Sequence, residues 1–382
     1  MNTIIKLPKE EREILFRNTA AKCGLSEGIV EKDFWVCWTL DYLFHRSPWM
    51  KNLAFKGGTS LSKCFDLIHR FSEDIDLILD WRLLDAAKDN PWAERSKNQQ
   101  DKLNKTLNAE TEVFLRDIFV PKLKEDFGQC LNEEFDVSVD PHEPQTVNFT
   151  YPKLFSETSI LPVVRLEVGA LAAWTPTAPA QVVPYAAQQY RHVFQAPETT
   201  ILTVQPERTF WEKITILHKE AFRNNGNFPS RYSRHYYDLF CMDRTPVKTA
   251  AYQDLNLLDR VVVFKARFYP AGNAHYELAK PGTMRLLPPE DCIPTLREDY
   301  EHMQNMLFGN KPTFEEIMDC IARLEQEINQ LYLSIHIPAP SQSICSGWGC
   351  FFCGTYAAKH YLSTSGAALL LKIINYTTTC FQ

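Results

Sequence analysis

The sequence predicts an α+β fold, a small mixed β-sheet with helices, carrying further helical parts on its N-terminal and C-terminal sides. Residues 9–46 have the apolar spacing of two helices, and residues 253–333 are again mainly helical. Between them, residues 52–80 show the order strand, turn, helix, strand, and β-type segments follow at 147–151 and 161–168. This order of elements is typical of a central sheet with helical additions.

We divide the chain into four parts on this basis. A helical segment covers 1–46, the sheet-containing core covers 47–200, a helical domain covers 201–334, and an atypical Cys-rich tail covers 335–382. The tail is almost without charge, and Cys345, Cys350, Cys353 and His360 could be zinc ligands. A second Cys-x-x-Cys pair is missing, so an accessory tail is the favoured interpretation.

Composition excludes several classes of protein. The formal charge of −6 does not fit a simple basic nucleic-acid-binding domain. No run of about 18 apolar residues predicts a membrane span, and the first residues lack the apolar core of a secretory signal. Eleven cysteines, without framework spacing before residue 345, favour free thiols in a reducing cytoplasm.

The first helical pair and the segments around the core have local signals. One helix ends near Gly24, and Ser26 can cap the next. The Glu31–Lys32–Asp33 cluster lies in the first turns of that second helix, and a solvated helix start is its favoured interpretation. Residues 82–137 are charged and helical in pattern. The Pro and Ala residues of 174–187 predict a loop or linker.

Two further helices follow the core. The first is expected from about Glu207 to Phe222, with Phe210, Ile214 and Leu217 on its apolar side and Lys213 toward a flank. Residues 224–230 break it, and the second helix should begin near Arg231 or Arg234.

The stretch FKGGTSLSKCFDLIHRFSEDIDLILD, residues 55–80, carries the clearest chemistry. Gly57 and Gly58 follow the short strand Leu53–Phe55 and precede a helix expected over residues 59–71, which Thr59 or Ser60 can cap. Its expected apolar face consists of Leu61, Cys64, Phe65 and Ile68. Glycines let a ligand approach the backbone, and the N–H groups of a helix N-terminus bind phosphate.

A pair of acids lies at the other end of this stretch. Asp74 and Asp76 alternate with apolar residues on a predicted strand, so their side chains point to the same side. Mg²⁺ prefers one or two carboxylates together with substrate phosphates. The intervening helix returns the chain, so phosphate donors and metal ligands are expected to share one site. The alternative is an exposed edge strand with solvated acids.

The glycine turn is neither a P-loop nor a dinucleotide-binding motif, because the required spacings are absent. A glycine turn, a helix and Asp-h-Asp-h, where h is an apolar residue, resemble the nucleotidyltransferase signature of the polymerase-β-like superfamily. The fifteen residues between Gly58 and Asp74 make the spacer longer than is usual there.

A more specific resemblance covers roughly residues 10–245. KGGTSLSK (56–63), RFSEDIDL (70–77) and VEKDFWV (30–36) are similar to the AbiEii/AbiGii toxin family, nucleotidyltransferase toxins of type IV toxin–antitoxin and abortive-infection systems. Two later motifs of that family have candidates in order, RTFWEKITILHKEAF (208–222) and RHYYDLFCM (234–242). The tail does not belong to the pattern.

The resemblance implies a role for each matching residue. Asp74 and Asp76 would bind Mg²⁺ (or Mn²⁺), with Glu167 as a third acid, although Glu167 could also form a surface pair with Arg165. Lys213 would hold the triphosphate, and Asp238 would orient Lys213 or an acceptor hydroxyl. The implied nucleotide-binding residues are Gly57, Gly58, Thr59, Ser60, Lys63, Arg70 and Ser72.

The implied reaction is transfer of a nucleoside monophosphate from an NTP to an RNA acceptor, with a tRNA 3′ end as the expected site. An antitoxin encoded nearby is the expected partner. Basic residues around the helix break could contact RNA phosphates, namely Arg223, Arg231, Arg234 and His235. The alternatives are transfer of a nucleotide to a protein hydroxyl, transfer of a phosphoryl group to the antitoxin, or an inactive fold that only binds.

Overall fold

The computed structural model describes residues 1–88, 90–157, 160–171, 175–223 and 228–336. Within it, Met1–Ile335 form one compact unit. Residues 337–382, with the four candidate zinc ligands of the tail, lie outside the described residues. The four-part division of the chain stays a prediction.

The helices are α1 (Lys9–Cys23), α2 (Glu27–His45), α3 (Gly57–Lys63), α4 (Lys97–Phe114), α5 (Val120–Cys130), α6 (Tyr185–Gln189), α7 (Pro206–Glu220), α8 (Ser233–Asp243), α9 (Pro246–Gln253), α10 (Leu255–Phe268), α11 (Ile293–Met303) and α12 (Phe314–His336). The strands are β1 (Leu53–Lys56), β2 (Ile75–Leu79), β3 (Asp136–Val139), β4 (Thr146–Thr150), β5 (Val163–Gly169), β6 (Thr177–Val182) and β7 (Thr199–Val204).

The strands form one mixed sheet in the order β3-β4-β5-β2-β1-β7-β6. β2 pairs antiparallel with β1 and parallel with β5, while β7 lies parallel to β1. The sheet with its surrounding helices confirms the predicted fold class. The centre of the sheet is formed by β2 and β1, the two strands that flank the glycine turn in sequence.

The two faces of the sheet differ in chemistry because side chains alternate along each strand. Phe55, Leu77 and Leu166 point to one face and pack with the aromatic residues of α2, including Trp35 and Trp38. Neighbours on the opposite face include Lys56, Asp76 and Glu167, which lie in register across β1, β2 and β5. We call this second face the carboxylate face.

Three strands, β3, β6 and β7, lie where no strand was predicted, and the expected loop at 174–187 was wrong for residues 177–182, which form β6, and for residues 185–187, which begin α6. There β6 pairs with β7 over six residues. The strand was not predicted because it contains Pro179, which is unfavourable inside a sheet. Proline is tolerated on an edge strand, and β6 is at the edge of the sheet.

The helix expected over 59–71 is shorter than predicted. It begins at Gly57 and ends at Lys63, and neither Thr59 nor Ser60 caps it. Instead, the Thr59 hydroxyl donates to the carbonyl oxygen of Asp74 (2.6 Å), and Ser60 Oγ donates to the carbonyl oxygen of Gly57 (2.8 Å). The chain after α3 therefore folds back to β2 as an irregular segment.

A short antiparallel bridge fixes this irregular segment to the C-terminal helical part. Arg70 pairs with Leu307. The Phe71 amide donates to the Met306 carbonyl (2.7 Å), and the Phe308 amide donates to the His69 carbonyl (2.8 Å). The segment that leads into Asp74 is thus held by residues far away in the sequence.

The interpretation of Glu31–Lys32–Asp33 as a solvated helix start was wrong, because all three side chains are buried. Glu31 accepts hydrogen bonds from the Leu154 and Phe155 amides. Lys32 Nζ lies 2.5 Å from Glu73 Oε2. Burial of these charges is balanced by partners from three separate segments, which local sequence does not reveal.

The helices after the core pack around a second hydrophobic cluster. Phe210, Ile214 and Leu217 of α7 are fully buried in it, as predicted. Leu61 and Ile68 from the segment around α3 join the same cluster. The cysteines in the described part of the chain are free thiols. No helix within the described residues is long and apolar enough to cross a membrane.

Candidate active site

The carboxylate face places three predicted site residues side by side. Asp76 is in register with Glu167 on one side and with Lys56 on the other. Asp74 precedes β2, and its Oδ1 lies 3.8 Å from Arg165 Nε. Arg165 also pairs with Asp140 (3.2 Å) and with Glu143. The predicted acids therefore come together at the start of the central strand.

The glycine turn lies directly against this group. Gly57 has φ +82°, and a Cβ built on it would be 1.8 Å from Asp76 Oδ2. A Cβ on Gly58 would be 2.7 Å from Arg70 Nη2 and 2.9 Å from Ser72 Oγ. Any side chain at Gly57 would collide with the carboxylate, so glycine is required by both conformation and space. The glycine turn and the Asp76 carboxylate are thus in direct contact.

A buried ion network lies between α7, α8 and the segment before β2. Asp238 accepts hydrogen bonds from Arg70 Nε (2.7 Å) and Nη2 (2.9 Å), and its Oδ2 is 2.7 Å from Lys213 Nζ. All three side chains are at most 7% exposed. We call Arg70, Lys213 and Asp238 the ion network. Lys213 is therefore not a solvated flank residue but one held in place by Asp238.

The ion network satisfies its own charges. Burial by itself would raise the pKa of Asp238, but Arg70 and Lys213 outweigh it and hold that pKa well below the usual range. Burial lowers the pKa of Lys213, with Asp238 opposing this change. His235, 3.5 Å from Lys213 Nζ, has a pKa well below its usual value because of burial and the Lys213 charge. His235 is therefore neutral and does not supply the cation that the sequence suggested.

The carboxylate face has the opposite electrostatics. Burial and the neighbouring Glu73 charge raise the pKa of Asp74. Burial also raises the pKa of Asp76, with Asp74 adding to the shift and Lys56 opposing it. The pKa of Glu167 rises to about 7, since the surrounding protein removes part of its hydration and Asp76 and Asp74 repel its charge. These acids carry negative charge that a nearby cation would stabilise.

The carboxylate oxygens of Asp74, Asp76 and Glu167 are suitable ligands for a divalent cation. In the described part of the chain, no three acidic, histidine or cysteine side chains converge into a complete metal site. Mg²⁺ does not require one, because it is usually held by one or two carboxylates, waters and substrate phosphates. Asp74, Asp76 and Glu167 supply such carboxylates beside the glycine turn, and their raised pKa values indicate charge without a sufficient partner.

Two predicted nucleotide contacts are placed differently. Lys63 Nζ is 2.6 Å from Asp33 Oδ1 and 3.9 Å from the centre of the Tyr185 ring. This buried ion pair ties α3 to α2 and does not leave Lys63 beside the carboxylates. Ser72 Oγ lies 3.0 Å from the Thr59 hydroxyl, so these two side chains bond to each other beside Gly58.

The basic residues around the helix break divide into two groups. Arg231 and Arg234 line a cavity of about 190 Å³ together with Arg70. Arg223 instead donates to Glu220 (2.5 Å). Sequence reasoning gave no role to Lys56, which lies beside Asp76, or to Glu212, which precedes Lys213. Lys56 could have been found from the sequence, because an antiparallel pairing of the two predicted strands places it opposite Asp76 on the same face of the sheet.

Comparisons with known proteins found one family model and several solved structures. A family model described as nucleotidyl transferase AbiEii toxin, type IV toxin–antitoxin system, matches residues 40–320. The solved structures that match include MenT4, a nucleotidyltransferase toxin from Mycobacterium tuberculosis H37Rv. The identity is 16% and the TM-score 0.38, over 86% of this chain and 99% of that chain. No curated protein sequence matched.

Proposed function

Because the chain belongs to the AbiEii nucleotidyltransferase toxin family of type IV toxin–antitoxin systems, we propose that it transfers a nucleoside monophosphate from an NTP to RNA. The acceptor is a hydroxyl group, and the 3′ end of a tRNA is the expected position. The observation that carries this proposal is the contact between the Gly57 turn and the Asp76 carboxylate, in register with Glu167. A triphosphate on that turn would lie against the acids.

In this reaction the acceptor hydroxyl loses its proton to solvent, and its oxygen forms a bond to the α-phosphorus. The bond from the α-phosphorus to the oxygen that bridges to the β-phosphate breaks, and pyrophosphate leaves with that oxygen. Such transfers depend mainly on positioning and on neutralisation of the phosphate charges. Lys213, oriented by Asp238, supplies a fixed cation for the triphosphate. Arg234 Nε is buried and, among the described residues, has no hydrogen-bond partner, so it can donate to a phosphate oxygen of the acceptor RNA.

Asp74, Asp76 and Glu167 would hold Mg²⁺ or Mn²⁺. When bound, the ion would neutralise phosphate oxygens and favour the deprotonated acceptor hydroxyl. The pKa of Glu167, about 7, supports this assignment, because carboxylates that lack a cationic partner are the ones that gain most from the ion.

Arg231 and Arg234 are the proposed contacts for the acceptor RNA. They line the cavity of about 190 Å³, and their positive charges lower the pKa values of Asp74 and Asp76, respectively. Their guanidinium groups suit phosphate oxygens. Arg223 and His235 are not part of this proposal, because the first is paired with Glu220 and the second is neutral.

The test is incorporation of label from each α-³²P-labelled NTP into total RNA by purified protein with Mg²⁺. We expect label in small RNA with wild type and none with Asp76→Asn. Asp66→Asn is a matched control, because Asp66 is exposed and asparagine tolerates its φ of 51°. RNA that stays unlabelled with all four nucleotides would overturn the proposal.

The same reactions separate the alternatives. Label from an α-labelled NTP in protein would indicate nucleotide transfer to a protein hydroxyl. Label from a γ-labelled NTP in the antitoxin would indicate phosphoryl transfer. The family implies an antitoxin, and co-expression with the neighbouring reading frame tests it. Wild type alone should arrest growth, and Asp76→Asn should not.

A further inference from the structure

A second cavity adjoins the carboxylate face on the side away from Glu167. It has a volume of about 260 Å³ and lies between α7, α10 and the segments around Tyr232 and Tyr276. Lys56 lines it, and Lys56 both precedes Gly57 and lies in register with Asp76. Glu212 lines it too, one residue before Lys213. The cavity is therefore next to the proposed triphosphate site.

The end of the cavity near the site is charged. Burial opposes the charge of Lys56, but Glu212 and Asp76 raise its pKa overall. Lys265 Nζ donates to the Glu212 carbonyl oxygen (2.7 Å). Burial lowers the pKa of Lys265 to about 7, with Glu212 opposing that change. An acceptor oxygen on a ligand would stabilise this poorly solvated ammonium.

Glu220, which also lines the cavity, has a carboxylate oxygen without a donor among the described residues. Glu220 is 1% exposed and lines the cavity. Its Oε2 accepts from Arg223 Nε (2.5 Å), but its Oε1 accepts no hydrogen bond from any described residue. The Lys219 Nζ atom is 3.9 Å from Oε1, beyond hydrogen-bond distance. A buried acceptor of this kind is normally satisfied, so a ligand N–H group is a suitable partner.

Aromatic side chains also line the cavity, and these are Tyr232, Phe264, Tyr269 and Tyr276. Flat aromatic surfaces with a few fixed donors and acceptors are the usual environment of a protein-bound nucleobase. Along α7, Glu212 and Glu220 are eight residues apart, or about 12 Å. A ligand that reaches Glu220 can therefore still extend to the turn at Gly57.

We propose that this cavity binds the nucleobase of the NTP, with Glu220 Oε1 accepting a hydrogen bond from an amino or imino N–H of the base. Glu220 is then a specificity-determining residue for the nucleotide. This inference rests on the proposed nucleotidyl transfer, since the NTP supplies the base. The terminal nucleotide of the acceptor RNA has the same chemistry, and the experiment separates the two sources.

The experiment measures binding of the four NTPs and of inorganic tripolyphosphate to full-length protein, without any acceptor. Glu220→Gln replaces an acceptor by a group that also donates. We expect the preferred NTP to bind at least about tenfold more weakly and the order of preference to change. Tripolyphosphate affinity should stay the same, because it has no base. Glu277→Gln, the same change at an exposed position, should alter nothing.

A second variant tests the space rather than the hydrogen bond. Ile216 lines the cavity, and Ile216→Trp fills part of it. All four NTPs should bind about tenfold more weakly, again with unchanged tripolyphosphate affinity. Thermal unfolding close to that of wild type qualifies a variant for comparison, and either variant alone is sufficient for the test.

Three outcomes would overturn the inference. NTP affinities could be unchanged in the qualified variants, tripolyphosphate could weaken in parallel, or only the KM for acceptor RNA could rise in transfer assays. The last result would assign the cavity to the acceptor nucleotide. Failure of the proposed function is distinct: wild type would then bind NTPs in the base-dependent manner described but would label no RNA.

Discussion

The ion network and the carboxylate face lie close together, yet the pKa values of their acids are shifted in opposite directions. In the network, Asp238 is enclosed by Arg70 and Lys213, and its pKa falls well below the usual range although burial opposes that change. On the carboxylate face, partial loss of hydration and neighbouring acids raise the pKa values of Asp76 and Glu167, although the Glu167 side chain still has access to solvent. A completed charge group stabilises the fold and fixes the position of Lys213, whereas an incomplete one indicates where an ion binds.

The largest expected effect on activity follows from removing a charge from the carboxylate face. Asp76→Asn should reduce nucleotidyl transfer by about a thousandfold or more, because cation binding to phosphates provides several kcal/mol in the transition state. The free energy of unfolding should be unchanged or higher, since the ionised carboxylate is disfavoured in the folded protein. Transfer kinetics and urea denaturation measure the two quantities. A marked loss of stability would contradict the comparison.

The same type of substitution in the ion network should mainly affect the stability of the fold. Asp238→Asn leaves Arg70 and Lys213 buried without a counter-charge, and we expect a loss of about 3–5 kcal/mol in the free energy of unfolding. Urea denaturation measures it. Asp117→Asn, at an exposed position, serves as control and should unfold like wild type. If Asp238→Asn were as stable as wild type, the network would not be the structural element described here.

The pH dependence should also differ between the two groups. The pKa of Glu167 is raised from 4.5 to about 7, so its contribution to stability is present below pH 4.5 and is lost as the pH rises through 7. Asp238, with its lowered pKa, loses its contribution only in strong acid. Unfolding free energies between pH 4.5 and 7.5 should therefore fall less steeply for Glu167→Gln than for wild type. Identical slopes would contradict the raised pKa.

The smallest expected effect concerns a residue that touches neither substrate nor ion. Lys32 neutralises Glu73, and the Glu73 charge raises the pKa of the neighbouring Asp74. Lys32→Met should move the acidic limb of the pH–rate profile to higher pH, with a loss at pH 6 of less than about tenfold. Lys32→Arg should restore it, and Lys105→Met, at an exposed position, should leave the profile unchanged. A uniform loss at all pH values would indicate a purely structural role.

Local spacing was enough to predict the central part of the site. The glycines, Asp74 and Asp76 lie within one strand-turn-helix-strand unit, where chain geometry alone brings them together. Lys213 and Asp238 were assigned through the family resemblance, and their contact depends on the packing of α7 against α8. The sequence could not show that Arg70 completes this network, because its partner is 168 positions away.

The errors have a common physical origin. The helix after Gly57 stops at Lys63, because Asp66 has a left-handed φ of 51° and the Leu67 amide donates back to the Leu61 carbonyl (2.9 Å), while Arg70 further on bonds to the distant Asp238. Glu31 resembled a solvated residue because its partners, the amides of Leu154 and Phe155, come from another part of the chain. The strand β6 was missed because proline is rare in strands except at sheet edges. In each case tertiary contacts overrode local preference.

The bridge between Arg70 and Leu307 has a consequence for how much of the protein is needed. Every signature motif lies before residue 245, so a shortened protein ending there would appear complete to a motif search. In that shortened protein, the segment that leads into Asp74 would lack its backbone hydrogen bonds, because the partners at Met306 and Phe308 would be missing. The smallest active unit therefore extends past residue 308, well beyond the last residue with a proposed role in transfer.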